Sequence, residues 1–142
     1  MTAYKIPDEA LTPQLFAERI RGTLAAHLGL TLLETRRDRF VGAIDIEAHH
    51  MAPNGFLHAG AQVTLADTCA GLATTANLRD GQNFTTVELK SNFFATVKSG
   101  RIEAVCTPVH RGRTTQVWDA VVSHPESGKR LSLFRCTQLV LS

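Results

Sequence analysis

The sequence predicts an α+β fold in which one curved antiparallel sheet wraps around a single long helix. Two observations point to this class. Residues 58–78 have the length of a helix of about five to six turns and are apolar on nearly every side. Such a helix is normally buried. Most of the remaining chain consists of strand-like stretches joined by short turns, and short connections favour antiparallel neighbours.

Length and composition fit one domain, residues 1–142, in which residues 1–11 are expected to form a loose arm. The net charge of +2 is too small to indicate nucleic-acid binding. The three cysteines, Cys69, Cys106 and Cys136, are far apart and form no C-x-x-C, which argues against a disulfide framework. No signal-peptide core or membrane-spanning stretch is visible, so we expect a cytoplasmic protein.

The elements before the central helix are read from their periodicity. Thr12 and Pro13 form a helix start, and apolar residues then recur at helical spacing until Gly29. This predicts one amphipathic helix over residues 13–28. Alternating patterns predict strands over residues 30–36 and 40–48, joined by a charged turn. The following stretch, up to about residue 58, contains a proline and an Asn-Gly pair and is predicted to be a loop.

Four strands are predicted after the central helix, over residues 84–94, 101–108, 114–123 and 131–141. The order is therefore one helix, two strands, the long helix and four strands. A single sheet leaves part of the helix uncovered and has exposed edges. Pairing with a second copy would cover both, so we expect a homo-oligomer.

Asp67 is the only acidic residue between positions 58 and 78. A buried carboxylate must be paired, hydrogen-bonded or functional, because leaving a charge unpaired in an apolar interior costs several kcal/mol or more. The structural interpretation is a carboxylate bonded to neighbouring threonines. We favour a functional role, since strongly perturbed buried acids are concentrated at active sites.

Two motifs resemble a known family. The stretch G-F-L-H-A-G-A-Q-V-T-L-A-D-T, residues 55–68, resembles the G-x-x-H-G-G-x-x-x-x-L-A-D/E pattern of hotdog-fold acyl-CoA thioesterases. It is most similar to the phenylacetate-degradation (PaaI-like) type within the 4-hydroxybenzoyl-CoA thioesterase superfamily. The stretch T-V-E-L-K-S-N-F-F, residues 86–94, resembles the third strand of that family.

The resemblance implies a hotdog fold and an enzyme that hydrolyses an aromatic or medium-chain acyl-CoA to the free acid and coenzyme A. It implies no cofactor, because coenzyme A is part of the substrate, and no metal. The expected assembly is a dimer or a dimer of dimers, that is, a homotetramer.

The resemblance also assigns catalytic roles. The backbone amides of Ala59 and Gly60, at the helix N-terminus, would form an oxyanion hole. Ala59 replaces the usual glycine but keeps its N–H group. Asp67 would be the general base or the nucleophile of an anhydride route, and both routes stay open. It lies roughly 12 Å along the helix from these amides, and in the family the acid of one subunit faces the helix N-terminus of the other.

Further residues are candidates for the site. His58 is either a helix-capping residue or a substrate-orienting one. The family often places an orienting amide six residues before the histidine, where this chain has Ala52. Asn54, more typical of a turn, or Gln62 would have to replace that amide. Thr86 falls where relatives hold the attacking water, although threonine is also an ordinary strand residue.

The phosphates of coenzyme A need cations. Lys90, Arg111 and Arg113 are the candidates, with Lys98 and Arg130 as weaker ones. Two arginines flank a glycine in the turn H-R-G-R-T-T, residues 110–115, and guanidinium groups suit phosphate oxygens. For any one of these cations alone, a solvated hairpin tip is the better explanation, whereas as a group they fit phosphate binding.

Other functions stay open beside the thioesterase. One is an enoyl-CoA hydratase or dehydratase of the same fold, which would pair an acid with a histidine. Another is a non-catalytic acyl-CoA-binding protein. A metal site at His49, His50 and His58 is disfavoured, since adjacent histidines on extended chain point to opposite faces and no further ligand completes a familiar set.

Overall fold

The computed structural model describes residues 3–142. Six strands form one antiparallel sheet in the order β1-β2-β4-β5-β6-β3, and a long helix packs against it. The predicted architecture is therefore confirmed. The strands are β1 (Thr31–Arg36), β2 (Arg39–Asp45), β3 (Asn83–Phe93), β4 (Arg101–Arg111), β5 (Thr115–His124) and β6 (Lys129–Leu141). The helices are α1 (Pro13–Ile20), α2 (Leu24–His27) and α3 (Ala59–Ala76).

Small side chains let α3 lie close to the sheet. Leu65, Cys69 and Ala73 face the strands and are fully buried. Opposite them, Gly42 in β2 leaves so little room that a Cβ atom there would lie 2.7 Å from the Cys69 Sγ atom. The close packing of helix and sheet therefore requires glycine at position 42.

The first helical segment differs from the prediction. Instead of one helix over residues 13–28, α1 ends at Ile20 and a single further turn forms α2. Gly22 between them has φ +75°, which places it in the left-handed region that no helix interior contains. Because the apolar spacing continues across this glycine, periodicity alone did not reveal the break.

Residues 3–11 are packed, whereas the sequence predicts a loose arm over residues 1–11, of which residues 1 and 2 lie outside the described part of the chain. Ile6 is 3% exposed and belongs to the core. The Lys5 N–H group donates to the Leu78 carbonyl at 2.9 Å, and Arg37 donates to the Ile6 carbonyl at 2.7 Å. Residues 3–11 are therefore held at the C-terminal end of α3 by contacts with residues distant in sequence.

Strand β3 forms one edge of the sheet and is exposed on both faces. Among the strands of residues 3–142, it pairs only with β6. Val87, Leu89 and Phe93 are 55%, 42% and 44% exposed, respectively. A long apolar edge strand is a surface that proteins normally cover. Within residues 3–142, no helix is long and apolar enough to cross a membrane.

Candidate active site

The N-terminus of α3 is capped by its own histidine. The His58 Nδ1 atom accepts a hydrogen bond from the Gly60 N–H group at 2.7 Å. Of the two predicted oxyanion donors, Gly60 is therefore engaged within the protomer. The Ala59 N–H group has no acceptor among residues 3–142. Both His58 and Ala59 are exposed, so this unpaired donor is accessible.

A cavity of about 250 Å³ lies beside the helix tip. Its lining residues come from the end of α2, from the segment that precedes α3 and from the first turns of α3: Leu28, which follows α2, and His49, His50, Met51, His58, Gly60, Ala61 and Thr64. His50 is 2% exposed. Its Nδ1 atom accepts from the Glu47 N–H group at 2.9 Å, and its Nε2 atom lies 2.7 Å from the Leu28 carbonyl oxygen. Because both ring nitrogens are engaged, His50 fixes the wall of the cavity.

Asp67 carries an oxygen that is buried and unpaired. No hydrogen-bond partner of its Oδ1 atom is present in the described part of the chain. Burial raises the pKa of the Asp67 carboxyl, since desolvation penalises the charged form. The alternative in which neighbouring threonines satisfy this carboxylate is therefore not observed for Oδ1. A buried carboxylate oxygen in this state needs a partner that the described residues of the protomer do not supply.

The side chain of Asp67 belongs to the face of α3 that the sheet leaves partly open. Val63, Thr64, Thr68 and Gly71 share this face at helical spacing and are only partly buried. Burial, with a further contribution from the nearby Asp67 charge, raises the pKa of the Cys136 thiol to about 12. Because this charge acts on Cys136 in β6, Asp67 lies close to that strand.

Two polar residues predicted for the site, Thr86 and Gln62, form hydrogen bonds within the protomer. The Thr86 hydroxyl donates to the Gln138 Oε1 atom at 2.6 Å. The Gln62 Oε1 atom accepts from the Ser132 hydroxyl at 2.7 Å, and Gln62 is 2% exposed. Gln62 therefore ties α3 to β6 through its side-chain oxygen, and its role as a substrate-orienting amide stays a prediction.

Asn54 serves as a turn residue in the protomer. Its Oδ1 atom accepts from the Phe56 N–H group at 3.3 Å, and Gly55 between them has φ +85°. This is the geometry that an Asn-Gly pair favours in turns.

The predicted phosphate-binding cations are divided between two places. Arg111 and Arg113 line a second cavity, of about 700 Å³, at the C-terminal end of α3. Lys90 pairs in register with Arg135, which lies between the inward-facing Phe134 and Cys136. Since side chains alternate across a strand, Lys90 projects from the outer face of the sheet. The structure therefore separates Lys90 from the two arginines.

The protomer does not bring its predicted catalytic groups together. Ala59 and Asp67 are eight positions apart on one helix, roughly 12 Å at 1.5 Å per residue. The same spacing keeps His58 from forming a local acid–histidine pair with Asp67, as a hydratase would need. One thioester can contact both the amide and the carboxylate only if they come from different subunits.

Gln138 is a residue that the sequence interpretation missed. It is fully buried, and it holds the Thr86 hydroxyl. The signal was present in the alternation of β6: Phe134, Cys136 and Gln138 occupy every second position and share the inner face. A glutamine in such an apolar series indicates a buried polar contact.

Comparison with known proteins gives concordant results. A sequence model described as "Thioesterase superfamily" matches residues 54–130. The chain is 31% identical over 120 residues to proofreading thioesterase EntH from Cronobacter sakazakii, covering 84% of this chain and 87% of EntH.

Solved structures agree in fold. Thioesterase HI1161 from Haemophilus influenzae superposes with a TM-score of 0.88 at 27% identity, covering 100% of this chain and 96% of that one. A variant of the phenylacetic acid degradation protein PaaI from Thermus thermophilus superposes with a TM-score of 0.74 at 27% identity. That match covers 81% of this chain and 96% of PaaI.

Proposed function

Because this chain belongs to the thioesterase superfamily, with a hotdog fold and thioester hydrolase activity, we propose that it hydrolyses an aromatic or medium-chain acyl-CoA to the free acid and coenzyme A. The catalytic role of Asp67 in this proposal rests on its buried, unpaired Oδ1 atom. A carboxylate in that state is a strong hydrogen-bond acceptor with no partner of its own. It is suited to hold a water molecule.

Asp67 acts in this proposal as the general base. It removes a proton from water while the water oxygen forms a bond to the thioester carbon. The C–S bond then breaks, the acid is released, and the proton on Asp67 passes to the departing thiolate. Burial raises the pKa of Asp67, which makes its carboxylate a better proton acceptor. Direct attack by Asp67 to form an anhydride, later cleaved by water, is the other route.

The oxyanion hole is assigned to the tip of α3. The unpaired Ala59 amide would donate to the carbonyl oxygen as negative charge develops there, and the positive end of the helix dipole would add to the effect. The Gly60 amide becomes a second donor only if His58 moves away from it.

In this proposal a homodimer brings the carboxylate and the amide of the site close to one thioester. Ala59 and Asp67 of one protomer are too far apart to act on one thioester, whereas Asp67 of one subunit can face the helix tip of another. The exposed edge strand β3 and the partly open face of α3 support pairing there. Two such dimers would give the homotetramer expected from the family resemblance.

The substrate class is inferred from the relatives. The name of PaaI refers to phenylacetic acid degradation, and EntH is called a proofreading thioesterase. The name of PaaI supports an aromatic acyl group for this chain as well. Cys69, Cys106 and Cys136 are free and buried, as expected of a cytoplasmic protein, which is the location we propose.

A panel of acyl-CoA thioesters tests the function directly. Free thiol is measured with a thiol-reactive dye, using phenylacetyl, benzoyl, hexanoyl and acetyl thioesters. We expect rapid release from an aromatic or medium-chain member and slow release from the acetyl thioester. In a parallel assay with an enoyl-CoA, loss of its absorbance without thiol release would instead indicate a hydratase. Tight binding of every thioester without turnover would indicate a non-catalytic binder.

A further inference from the structure

The side-chain amide of Gln138 has a different partner for each of its two ends. Gln138 is fully buried in β6. Its Nε2 atom donates to the Cys136 Sγ atom at 3.5 Å, and its Oε1 atom accepts from the Thr86 hydroxyl at 2.6 Å. Because an amide oxygen can only accept, the hydroxyl proton of Thr86 is committed to Gln138.

The oxygen of Thr86 remains available to a further partner. Among residues 3–142 no group donates to it, and Thr86 is exposed in the protomer. A hydroxyl oxygen has lone pairs that its own donated hydrogen bond does not use. A water molecule beside Thr86 must therefore donate to this oxygen, since Thr86 has no second proton to offer.

Gly71 shows that the face of α3 that carries Asp67 lies against β3. A Cβ atom on Gly71 would lie 3.3 Å from the Cζ atom of Phe84 in β3. Asp67 comes one helical turn before Gly71, which is roughly 6 Å along the helix. Thr86 comes two positions after Phe84 on the same face of the strand, which is roughly 7 Å along it.

Strand β6 shows that Asp67 and the Thr86–Gln138 pair lie at the same level of the sheet. Phe84, beside which α3 passes one turn after Asp67, is paired with Val140. The charge of Asp67 itself acts on Cys136, four positions earlier in β6. Gln138 lies midway between these two positions of β6. The helix segment that carries Asp67 therefore passes beside Gln138 and its partner Thr86.

A β-bulge follows Thr86 directly. The pairing of β3 with β6 shifts register between Thr86 and Glu88, so that Val87 is an extra residue in β3. Bulges are common next to active sites, where they redirect a side chain. Regular pairing thus ends at the residue whose hydroxyl Gln138 holds, which favours a functional reason for the orientation of that hydroxyl.

We propose that Gln138 is a positioning residue that makes Thr86 an obligatory acceptor, so that the attacking water donates one proton to Thr86 and the other to Asp67. This role rests on the acyl-CoA hydrolysis proposed above and deepens its general-base route. With both protons directed at acceptors, a lone pair of the water oxygen faces the thioester carbon. A freely rotating hydroxyl would be able to donate to that lone pair and block it.

The two protons of the water have different fates. The proton directed at Asp67 passes to the carboxylate as the water oxygen forms its bond to the thioester carbon. The proton directed at Thr86 stays on that oxygen and becomes part of the product acid. Thr86 and Gln138 neither gain nor lose a proton. All three residues belong to one subunit, so the water is held by the subunit that supplies the carboxylate.

A double-mutant cycle on kcat tests this role. The variants are Thr86→Val, Gln138→Met and the two combined, measured by thiol release with the best acyl-CoA of the panel. Thr86→Ser retains the hydroxyl. Gln138→Asn keeps an amide in the core but withdraws its oxygen from Thr86, and it replaces Gln138→Met if that variant does not fold. Circular dichroism and urea unfolding verify the fold and measure the stability of each variant.

Two matched controls separate positioning from packing. Gln116→Met removes a buried glutamine of β5 that lies opposite Gln138 and whose oxygen accepts from the Trp118 indole N–H group at 3.1 Å. Thr137→Val removes a hydroxyl that donates across the same two strands, to Glu88 at 2.8 Å. Both controls should retain kcat within twofold of the wild type, whatever they cost in stability.

We expect Thr86→Val and Gln138→Met each to lower kcat about tenfold, with KM unchanged, because the water is still bound but less well oriented. The double variant should be no slower than Thr86→Val, since Gln138 acts only through Thr86. Thr86→Ser should retain most of the rate.

Several outcomes would overturn the role of Gln138 while leaving acyl-CoA hydrolysis in place. One is a folded Gln138→Met or Gln138→Asn enzyme with the kcat of the wild type. Another is a double variant in which the two losses simply multiply. A third is a loss of kcat in Gln116→Met as large as that in Gln138→Met. A wild type that hydrolyses none of the thioesters contradicts the proposed function itself and, with it, the role of Gln138.

Discussion

The two ends of α3 are built in opposite ways. At the C-terminal end, Arg37 donates to the Ala76 carbonyl, and the Asn77 side chain donates to the carbonyls of Ala73 and Arg37. At the N-terminal end, a single cap from His58 occupies the Gly60 amide, and the Ala59 amide is left exposed without an acceptor among residues 3–142. Carbonyl groups are satisfied at one end, whereas donors remain available at the other.

This difference shows how one helix can both hold the fold and present reactive groups. The fixed end anchors the helix against the sheet and the N-terminal segment, while the open end keeps the Ala59 amide exposed. The comparison predicts that substitutions toward the open half mainly change turnover and that substitutions at the fixed end mainly change stability.

The largest effect is expected at Asp67. Asp67→Asn keeps the shape of the side chain but cannot accept a proton from water, so we expect kcat for acyl-CoA to fall at least a hundredfold. The variant should be folded and no less stable than the wild type, because it removes a carboxylate whose ionised form is penalised by burial. Steady-state kinetics and thermal unfolding measure the two quantities. Turnover within threefold of the wild type would rule out the proposed mechanism.

The raised pKa of Asp67 also determines two pH dependences. Activity needs the ionised carboxylate, so kcat should fall on acidification at a higher pH than an ordinary aspartate would give. The pH dependence of stability has the opposite direction, because the folded state favours the neutral Asp67 carboxyl over the ionised one. The Asp67 contribution should destabilise the fold as the pH rises through the raised pKa, and this trend should be absent in Asp67→Asn.

The next effect is expected at Arg37. Its side chain contacts the Ala76 and Ile6 carbonyls, the Asp8 carboxylate and the Tyr4 ring. Arg37→Ala would leave those carbonyls without a donor, so we expect the free energy of unfolding to fall by about 2 to 3 kcal/mol.

The neighbouring Arg36→Ala is the matched control for Arg37→Ala. Arg36 makes exposed ion pairs only, and its loss should have little measurable effect on stability. Urea unfolding measures the change. If both variants lost the same free energy of unfolding, the contacts of Arg37 at the C-terminal end of α3 would not be the source of the stabilisation.

A smaller effect is expected at His58. His58→Ala removes the N-cap and should lower the free energy of unfolding by about 1 kcal/mol, whereas His58→Ser retains a capping oxygen and should recover most of it. Urea unfolding gives the stability and steady-state kinetics give kcat for both variants. If His58→Ser restores stability but not kcat, the histidine has a role toward the substrate beyond capping.

The sequence predicted the sheet, the buried helix and the position of the acid because these depend on local periodicity. It did not predict the break at Gly22, because glycine tolerates a helix as well as a turn and only the φ angle distinguishes them. It did not predict the anchor at Arg37 either. That side chain contacts residues about 30 to 40 positions away, and periodicity contains no such information.

The prediction of the candidate site was incomplete for a related reason. Sequence spacing shows that amides lie at a helix start, but it does not show which acceptor takes each one. His58 competes for the Gly60 amide, and Ser132 takes the oxygen of Gln62. Such competition among hydrogen-bond partners is decided by three-dimensional distances.

Gly42 illustrates how a position remote from the reaction can constrain it. A methyl group there would meet Cys69, two residues after Asp67, at 2.7 Å, and Leu65, two residues before it, at 3.3 Å. The helix would have to shift outward, and Asp67 would shift with it. Catalysis tolerates displacements of reacting groups by far less than an atomic diameter. Substitutions of Gly42 should therefore be tolerated almost as poorly as substitutions of Asp67.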